Sequence, residues 1–239
     1  METYLSIVVP AYNEELRIDA TLRAIQCYAA AQPFRVEIIV VDDGSTDATA
    51  EVVGRCRGVR LLRVSPNRGK GHAVRHGALG AAGKFMLFTD ADLSAPIEEA
   101  DTLFAALESS GADTAIGSRA IRRDLIGVRQ PLMRDYSGRC YNLLVQRLTG
   151  LEIHDTHCGF KLFRMERTRR AFELQRVERF GFDPELLLLI ARLGGKIVEV
   201  PVHWNHRPTS KVRFPRDPIR MLADLVGLRS RTNRADHSP

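Results

Sequence analysis

The chain has 239 residues, of which 44% are hydrophobic, and its 35 Lys and Arg against 29 Asp and Glu give a formal net charge of +6. This length suits one α/β domain with a substantial core, and the composition is ordinary for a globular protein. The longest apolar run, residues 186–191, is far shorter than the roughly 20 residues that span a bilayer, so we expect no integral membrane protein.

The charge and the cysteines restrict the partners and the compartment. A basic balance favours an anionic partner such as a nucleotide, a phospholipid surface or nucleic acid, with surplus surface arginine as the plain alternative. The four cysteines match no zinc pattern and the sequence has no aromatic-rich RNA signature, so we expect no nucleic acid partner. Because no basic segment precedes an apolar stretch at the start, we expect a cytoplasmic protein with reduced thiols.

Strand and helix signals alternate through the first half of the chain. Short apolar runs rich in β-branched residues predict strands at 5–9, 36–41, 59–64, 85–89 and 114–117. Helical spacing predicts a first helix that contains Leu16, Leu22, Ile25 and Tyr28. Further helices are predicted from a cap at 45–47 to about residue 57, from 69 to 82, and from Pro96 to 110.

After residue 118 the pattern changes. It predicts a loop at 122–130, a helix at 131–149, a short Gly-containing segment at 157–164, an apolar helix at 183–193 and a strand at 197–203. Asp183 is explained equally well as the cap of its helix and as a group beside a bound substrate. The chain then continues with a Pro-rich basic loop at 205–218, an Arg-rich amphipathic helix at 218–231 and a disordered tail at 232–239.

Continuous apolar strands that alternate with helices predict an α/β fold with a buried, mainly parallel sheet and helices on both faces. Ligands of such sheets bind at the carboxyl ends of the strands. Pro10, Asp42 and Asp90 fall at such ends. We therefore expect one site at this edge of the sheet.

Asp90-Ala91-Asp92 follows the fourth predicted strand. Two carboxylates one residue apart can share a divalent cation, and hard oxygen ligands suit Mg²⁺ or Mn²⁺, which keep waters and bind substrate phosphates. The alternatives are an aspartate that caps the following helix and simple solvation. The position at a strand end favours the metal site.

Other polar residues follow the first three predicted strands. Asp42 is placed to accept hydrogen bonds from a base or ribose, whereas Asp43 also fits an ordinary Asp-Gly turn. Tyr12 can pack beside a base and Glu14 can bond to base or ribose, although both also suit a helix start. Lys70, in a glycine-rich segment, can face a phosphate. The segment is not a Walker motif, and no G-x-G-x-x-G follows the first strand, which argues against an NTPase and a dinucleotide dehydrogenase.

Three of these motifs in this order resemble family-2 glycosyltransferases of the GT-A fold. They are Val-Val-Pro-Ala-Tyr-Asn-Glu at 8–14, Val-Asp-Asp-Gly-Ser at 41–45 and Asp-Ala-Asp at 90–92. Three further segments are similar to the polyprenyl-phosphate branch, closest to dolichyl-phosphate β-glucosyltransferases. They are Asn-Arg-Gly-Lys-Gly-His-Ala-Val-Arg at 67–75, Gly-Ser-Arg at 117–119 and Asp-Thr-His-Cys-Gly-Phe-Lys-Leu-Phe at 155–163.

The resemblance implies a single Rossmann-like GT-A domain at 1–231 with a C-terminal extension on the acceptor side. Residues 1–118 would bind a nucleotide sugar, with UDP-glucose expected, and residues 119–231 a polyprenyl phosphate. The implied nucleotide-binding residues are Pro10, Ala11, Tyr12, Glu14, Asp42, Asp43, Lys70, Asp90 and Ala91. Asp90 and Asp92 would hold Mg²⁺ or Mn²⁺, and Asp92 and Arg119 would act in catalysis. Acceptor and phosphate contacts would come from Arg119, Arg134, Arg207, Ser210 and Lys211.

Two positions depart from the family pattern: Ala120 replaces a frequent aromatic residue, and Gly138 replaces a usual serine.

The implied reaction is attack of a lipid phosphate on the anomeric carbon, which inverts an α-linked donor to a β-linked product. Such a phosphate is largely dianionic at neutral pH and hardly needs a general base. A soluble sugar or protein acceptor is the alternative and would need one, with Asp183 or Glu178 as candidates. A non-catalytic nucleotide-binding module is the second alternative.

Two further expectations concern the acceptor side. We expect His157 to be structural and not catalytic. The helix at 218–231 suits either an anionic membrane surface or packing on the core or a dimer interface. A membrane surface or membrane partner at the cytoplasmic face is thus expected.

Overall fold

The computed structural model describes residues 2–128, 132–207, 220–225 and 227, apart from the side chains of 132, 134 and 135. The strands are β1 (Leu5–Ala11), β2 (Val36–Asp42), β3 (Val59–Arg63), β4 (Phe85–Thr89), β5 (Thr114–Ser118), β6 (Ile126–Val128), β7 (Phe160–Arg164), β8 (Ile197–Pro201) and β9 (Trp204–Asn205). The α-helices are α1 (Ile18–Ala31), α2 (Thr49–Arg55), α3 (Lys70–Gly80), α4 (Glu99–Ser110), α5 (Leu132–Thr149), α6 (Met165–Leu174) and α7 (Phe182–Arg192). A 3₁₀ turn at Arg123–Leu125 precedes β6.

The main sheet has seven strands within the described residues, in the order β3-β2-β1-β4-β7-β5-β8. β7 pairs antiparallel with β4 and β5, while the other described pairings in this sheet are parallel. β6 and β9 form a separate two-stranded sheet. The mainly parallel sheet that the sequence predicts is confirmed.

Hydrophobic clusters cover both faces of the main sheet, because the side chains of buried strands alternate between them. In β1, Ile7 and Val9 join the cluster that includes residues of α1, α2 and α4. Val8 points the other way, into the cluster that includes residues of α3, α5, α6 and α7. Gly77 lets α3 approach β1 closely, since a Cβ there would lie 2.4 Å from Val8 Cγ1. The prediction of helices on both faces is therefore confirmed.

Some predicted elements differ from the structure. Leu16 is 96% exposed and precedes α1, so its assignment to the first helix is wrong. The helix predicted from Pro96 begins at Glu99, after a turn. The segment at 157–164 contains β7, and part of the predicted loop at 122–130 forms β6. α6 is amphipathic but lacked a predicted boundary, because it follows β7 without a turn residue.

The predicted C-terminal helix and tail lie largely outside the described residues. Of that helix, 220–225 and 227 are described, and they are helical. Leu225 is buried in the cluster beneath α3 and α7. Within the described parts of the chain, no helix is both long and apolar enough to cross a bilayer.

Candidate active site

The strand register brings the predicted polar residues to one edge of the sheet. Ala11 pairs with Asp42 at the ends of β1 and β2, and Val8 pairs with Phe88 in β4. Asp90 therefore emerges beside the end of β1, since it follows the last residue of β4 directly. Its backbone N–H donates to the Gly159 carbonyl, 3.2 Å away, which fixes the start of the loop.

Asp42 presents an unused acceptor at this edge. Its side chain is buried, and its Oδ1 accepts a 3.0 Å hydrogen bond from the backbone N–H of Ser45. Its Oδ2 is buried without a hydrogen-bond partner, because the Nε of Arg63, at 3.7 Å, is too distant for one. A buried carboxylate oxygen without a donor is costly. This atom is thus suited to a ligand that brings an N–H or O–H group.

Asp43 holds the adjacent loop in place. One carboxylate oxygen accepts the backbone N–H of Arg68 at 3.0 Å, and the other accepts that of Gly69 at 2.7 Å and the Asn67 side chain at 2.8 Å. Burial raises the pKa of Asp43, and these backbone donors partly oppose that increase. Its carboxylate is occupied by the loop that leads into α3, so the structure assigns it a positioning contact with that loop.

The segment after β1 is locked by hydrogen bonds to the segment after β2. Asn13 has a φ of 53°, a left-handed value that asparagine tolerates, and its side chain accepts the Thr46 N–H at 2.8 Å. Glu14 is buried and pairs with Arg17, whose Nη2 donates to it at 2.8 Å. The pKa of Arg17 is raised chiefly by Glu14 against the opposing effect of burial, with smaller contributions from Asp92 and Asp90. Arg17 therefore belongs to the site, and its acid partner is already Glu14.

Lys70 binds Asp90 directly. Its Nζ lies 2.6 Å from Asp90 Oδ1, and the two side chains are 22% and 32% exposed. Burial and the neighbouring Asp92 raise the pKa of Asp90, while Lys70 opposes that shift. The pKa of Lys70 is raised because Asp90, with help from Asp183 and Asp92, outweighs its burial. The carboxylates here outnumber the lysine that neutralises them.

These residues fit a divalent cation that takes further ligands from a substrate. No group of three or more His, Cys, Asp or Glu side chains suited to a metal occurs among the residues that the structure describes. Asp90 already binds a cation, the Lys70 ammonium, and Asp92 Oδ1 accepts the Ser94 N–H at 2.9 Å. Two carboxylates without a protein cage suit Mg²⁺ or Mn²⁺ completed by phosphate oxygens and waters.

Gly159 packs against the carboxylate of Asp90. A Cβ at residue 159 would lie 2.0 Å from Asp90 Oδ2 and 2.5 Å from its Cγ. Any side chain there would displace Asp90. This glycine, in the loop before β7, thus determines where the Asp90 carboxylate can sit.

Arg119 is held rigidly between two partners. Its Nε and Nη2 donate to the two oxygens of Asp155 at 2.6 and 2.7 Å, and its guanidinium lies 5.3 Å from the centre of the Trp204 ring. The Asp155 carboxylate outweighs burial and raises the pKa of Arg119, and Arg119 in turn holds the pKa of Asp155 below its usual value. The Arg119 side chain is 25% exposed, so this fixed cation is not fully enclosed by the protein.

Lys161 and Asp183 form a buried ion pair behind the site. Lys161 Nζ lies 2.5 Å from Asp183 Oδ1 and 2.6 Å from the Cys158 carbonyl, and its side chain is fully buried. Asp183 lies inside α7, after Gly181 at the helix cap, so its prediction as a cap is wrong. The phenyl ring of Phe88 has Lys70 at 5.2 Å and Lys161 at 5.7 Å from its centre.

His157 lies behind the same site. Burial lowers its pKa to about 4, so the imidazole is neutral at pH 7. Its ring packs edge-on against Tyr141, with the ring centres 4.9 Å apart, and its Nδ1 lies 3.1 Å from Thr156 Oγ1. Its Nε2 is buried without a hydrogen-bond partner among the described groups. Its role stays a prediction.

The remaining predicted residues divide into three groups. Pro10 and Ala11 end β1, and Ala91 is buried, with its carbonyl accepting the Thr21 hydroxyl at 2.6 Å. Tyr12 is partly exposed just beyond β1, and Arg207 is exposed just beyond β9. Arg134 belongs to α5 but its side chain is not described, and Ser210 and Lys211 lie outside the described residues.

Sequence reasoning missed Arg17, Asp155 and Trp204 as parts of this edge. Asp155 and Trp204 come from distant segments, and their contact with Arg119 depends on the placement of β7 and β9. The backbone N–H of Asn205 also donates to the Ser94 carbonyl at 2.8 Å, which joins β9 to the Asp92 loop. One signal was present: Trp204 is the only tryptophan of the chain and lies in a basic, polar segment.

Comparison with known proteins identifies the family. Residues 6–172 match the family described as Glycosyl transferase family 2. The dolichyl-phosphate beta-glucosyltransferase of Dictyostelium discoideum is 36% identical over 244 residues, which cover 95% of this chain and 74% of the relative. The enzyme of that name from Drosophila melanogaster is 40% identical over 225 residues, which cover 87% of this chain and 69% of the relative.

A solved structure shows the same fold. The crystal structure of glucosyl-3-phosphoglycerate synthase from Mycobacterium tuberculosis in complex with Mn²⁺ and uridine-diphosphate-glucose matches with a TM-score of 0.68 at 21% identity. The match covers 94% of this chain and 79% of that one. The resemblance drawn from the sequence motifs is confirmed: the chain belongs to glycosyl transferase family 2, with the GT-A fold and with dolichyl-phosphate β-glucosyltransferases among its relatives.

Proposed function

We propose that this chain is an inverting glycosyltransferase that moves glucose from UDP-glucose to a dolichyl or other polyprenyl phosphate, giving a β-linked lipid-phosphate sugar. The proposal rests on one observation above all: the Asp90–Asp92 pair lies at the carboxyl edge of the sheet, with the Lys70 ammonium 2.6 Å from Asp90 Oδ1. The names and identities of the curated relatives supply the sugar and the lipid.

Residues 1–118 form the donor half of the proposed site. The free Oδ2 of Asp42 accepts a hydrogen bond from the base or ribose, and Tyr12 packs beside the nucleotide. Asp43 acts indirectly by holding the loop that carries Lys70. Lys70 provides positive charge for the diphosphate.

Mg²⁺ or Mn²⁺ is the expected cofactor, with Asp90 and Asp92 as its protein ligands. When bound, such an ion supplies Lewis-acid stabilisation of the charge that develops on the departing diphosphate. Arg119 adds to that stabilisation without rearranging, because Asp155 and Trp204 already orient its guanidinium.

Residues 119–231 form the acceptor half, and its geometry favours a phosphate acceptor over an alcohol. A sugar or protein hydroxyl needs a general base, for which Asp183 and Glu178 are the candidates. Asp183 is buried in its pair with Lys161, and Glu178 pairs with Arg68. A phosphate monoester needs no base, since it is already largely dianionic at pH 7. Arg119, with Arg134, Arg207, Ser210 and Lys211, is proposed to bind it.

α5 is proposed to contact the membrane that carries the acceptor. Met133, Tyr136 and Leu143 on this helix are 83%, 71% and 64% exposed, whereas Val145 is buried. Asn142 accepts the Thr156 N–H at 3.1 Å, so the helix packs beside the segment that carries Asp155. An apolar helix face next to a lipid-phosphate site suits the interface of the bilayer. A peripheral position at the cytoplasmic face of a membrane is part of this proposal.

Incubation with UDP-[¹⁴C]glucose and dolichyl phosphate tests the proposed reaction. Label is expected in the organic phase, with strong loss on chelation of divalent ions and on Asp92→Ala. No organic-phase label with UDP-glucose or other common donors would exclude a lipid acceptor. Tight UDP binding without any turnover would support a non-catalytic nucleotide-binding module instead.

Sedimentation with anionic phospholipid vesicles tests the α5 contact. Met133→Glu with Leu143→Glu is expected to reduce binding to vesicles, whereas Glu152→Gln, at an exposed position beyond the helix, is the control. Equal binding of both variants and the unchanged chain would exclude α5 as the membrane contact.

A further inference from the structure

We infer that the Lys70 ammonium is a displaceable counter-cation that occupies Asp90 until the metal and the nucleotide diphosphate arrive together. The inference rests on the proposed function, because it concerns the same donor site. The observation that supports it is the 2.6 Å contact between Lys70 Nζ and Asp90 Oδ1.

The metal and the Lys70 ammonium compete for one carboxylate oxygen. Mg²⁺ binds oxygen ligands at roughly 2.0–2.1 Å. The other oxygen of Asp90 lies against Gly159, at a place where even a Cβ would be 2.0 Å away. Oδ1 lies farther from that position, at 2.9 Å, and it is the oxygen that Lys70 already contacts. A divalent ion beside it meets a positive charge at short range, which repels it.

The remaining charges keep Lys70 in that place when no substrate is bound. Asp183 and Asp92 also attract the ammonium electrostatically, and the Phe88 ring supports it at 5.2 Å. Arg17 and Lys161 are nearby cations, but each has a carboxylate partner, Glu14 and Asp183. Lys70 thus supplies one positive charge beside the two carboxylates of the Asp90–Asp92 pair.

A nucleotide diphosphate relieves this competition. Its oxygens offer new ligands to the metal and new acceptors to the ammonium, so Lys70 can leave Asp90 without losing an anionic partner. The site consequently binds metal poorly alone and well with the diphosphate. Lys70 makes the two ligands interdependent, which hinders a metal from occupying the site without a donor.

Electron paramagnetic resonance of free Mn²⁺, with and without UDP, tests the inference. For the unchanged protein, UDP is expected to strengthen Mn²⁺ binding by at least about tenfold. Lys70→Met is expected to bind Mn²⁺ without UDP about tenfold more tightly than the unchanged protein, and to gain less from UDP. Lys70→Arg keeps the charge and is expected to resemble the unchanged protein.

Lys84→Met is the matched control, because Lys84 is exposed and precedes β4 at the opposite end from Asp90. The inference is overturned if Lys70→Met binds Mn²⁺ alone no more tightly than the unchanged protein, or if UDP leaves Mn²⁺ binding to the unchanged protein unaltered. Mn²⁺ binding to the unchanged protein that UDP leaves unaltered would overturn the inference even if Lys70→Met does not fold. If the Mn²⁺ affinities change with UDP as expected but no glucose is transferred, the proposed reaction is refuted and this inference still holds.

Discussion

The Gly159→Ala substitution tests how closely the carboxylate of Asp90, a proposed metal ligand, is positioned. A methyl group at this residue would lie 2.0 Å from Asp90 Oδ2, whereas ordinary contacts begin at 3.4 Å. The carboxylate must therefore move by about 1.4 Å or the loop before β7 must shift by a similar distance. The change adds no charge and removes no hydrogen-bonding group, so its effect is one of position.

The expected loss follows from that displacement. A misplacement of about 1 Å at a catalytic group can cost about 10²-fold in rate. We expect kcat/KM for glucose transfer to fall by about that factor, equivalent to about 2.7 kcal/mol in the activation free energy. Overpacking should also lower the free energy of unfolding by about 1–3 kcal/mol, so the rate must be measured well below the unfolding temperature.

The assay is transfer of labelled glucose from UDP-glucose into the lipid phase, with thermal unfolding followed in parallel. Gly54→Ala in α2 is the matched control, because a Cβ there meets no atom within 4 Å. In that helix the same substitution should stabilise the protein by up to about 1 kcal/mol and leave the rate unchanged. If folded Gly159→Ala transfers glucose at the unchanged rate, Gly159 does not position Asp90.

Three further outcomes are expected. Asp155→Asn should raise the KM for the lipid phosphate about tenfold or more, because Arg119 loses its charged partner, and should leave the KM for UDP-glucose nearly unchanged. Steady-state kinetics with each substrate varied in turn would measure both values. An equal rise in the two KM values would contradict this prediction. The free energy of unfolding should fall by about 2–3 kcal/mol between pH 6.5 and pH 4, because the buried His157 stays neutral down to about pH 4 whereas the unfolded imidazole is protonated below its ordinary pKa. Urea unfolding at several pH values should show that His157→Gln lacks this part of the pH dependence. The same pH dependence in His157→Gln and the unchanged protein would show that His157 is not its source. Lys161→Met should lower the free energy of unfolding by about 3–5 kcal/mol, because it leaves Asp183 charged and unpaired in the interior. The double variant with Asp183→Leu should regain most of that stability when it is measured by urea unfolding. If it regains none, the loss is one of packing.

The donor side was predictable because its determinants are local. Each strand end places its own side chain, so Asp42 and Asp90 could be assigned to one edge from apolar runs alone. The parallel register then follows from alternating strands and helices. The proposed metal ligands, too, belong to a short local motif, Asp90-Ala91-Asp92.

The acceptor side was less predictable because it depends on contacts between distant segments. Whether Arg119 is a free or an anchored cation depends on Asp155, which is 36 residues away, and on Trp204, which is farther still. Asp183 looked like a helix cap because Pro184 follows it, yet burial beside Lys161 determines its state. Sequence spacing contains no information on such pairings until the position of β7 is known.

The antiparallel strand β7 also determines when β4 and β5 can be joined into one sheet during synthesis. It lies between β4 and β5 but follows β5 by more than 40 residues in the chain. Until Arg164 has been made, β4 and β5 each have an open edge and no partner between them. A fragment that ends at Ser118 would expose those hydrogen-bonding edges and invite association with other chains. Residues 1–118, the proposed donor half, therefore contain strands that only a later part of the chain joins into one sheet.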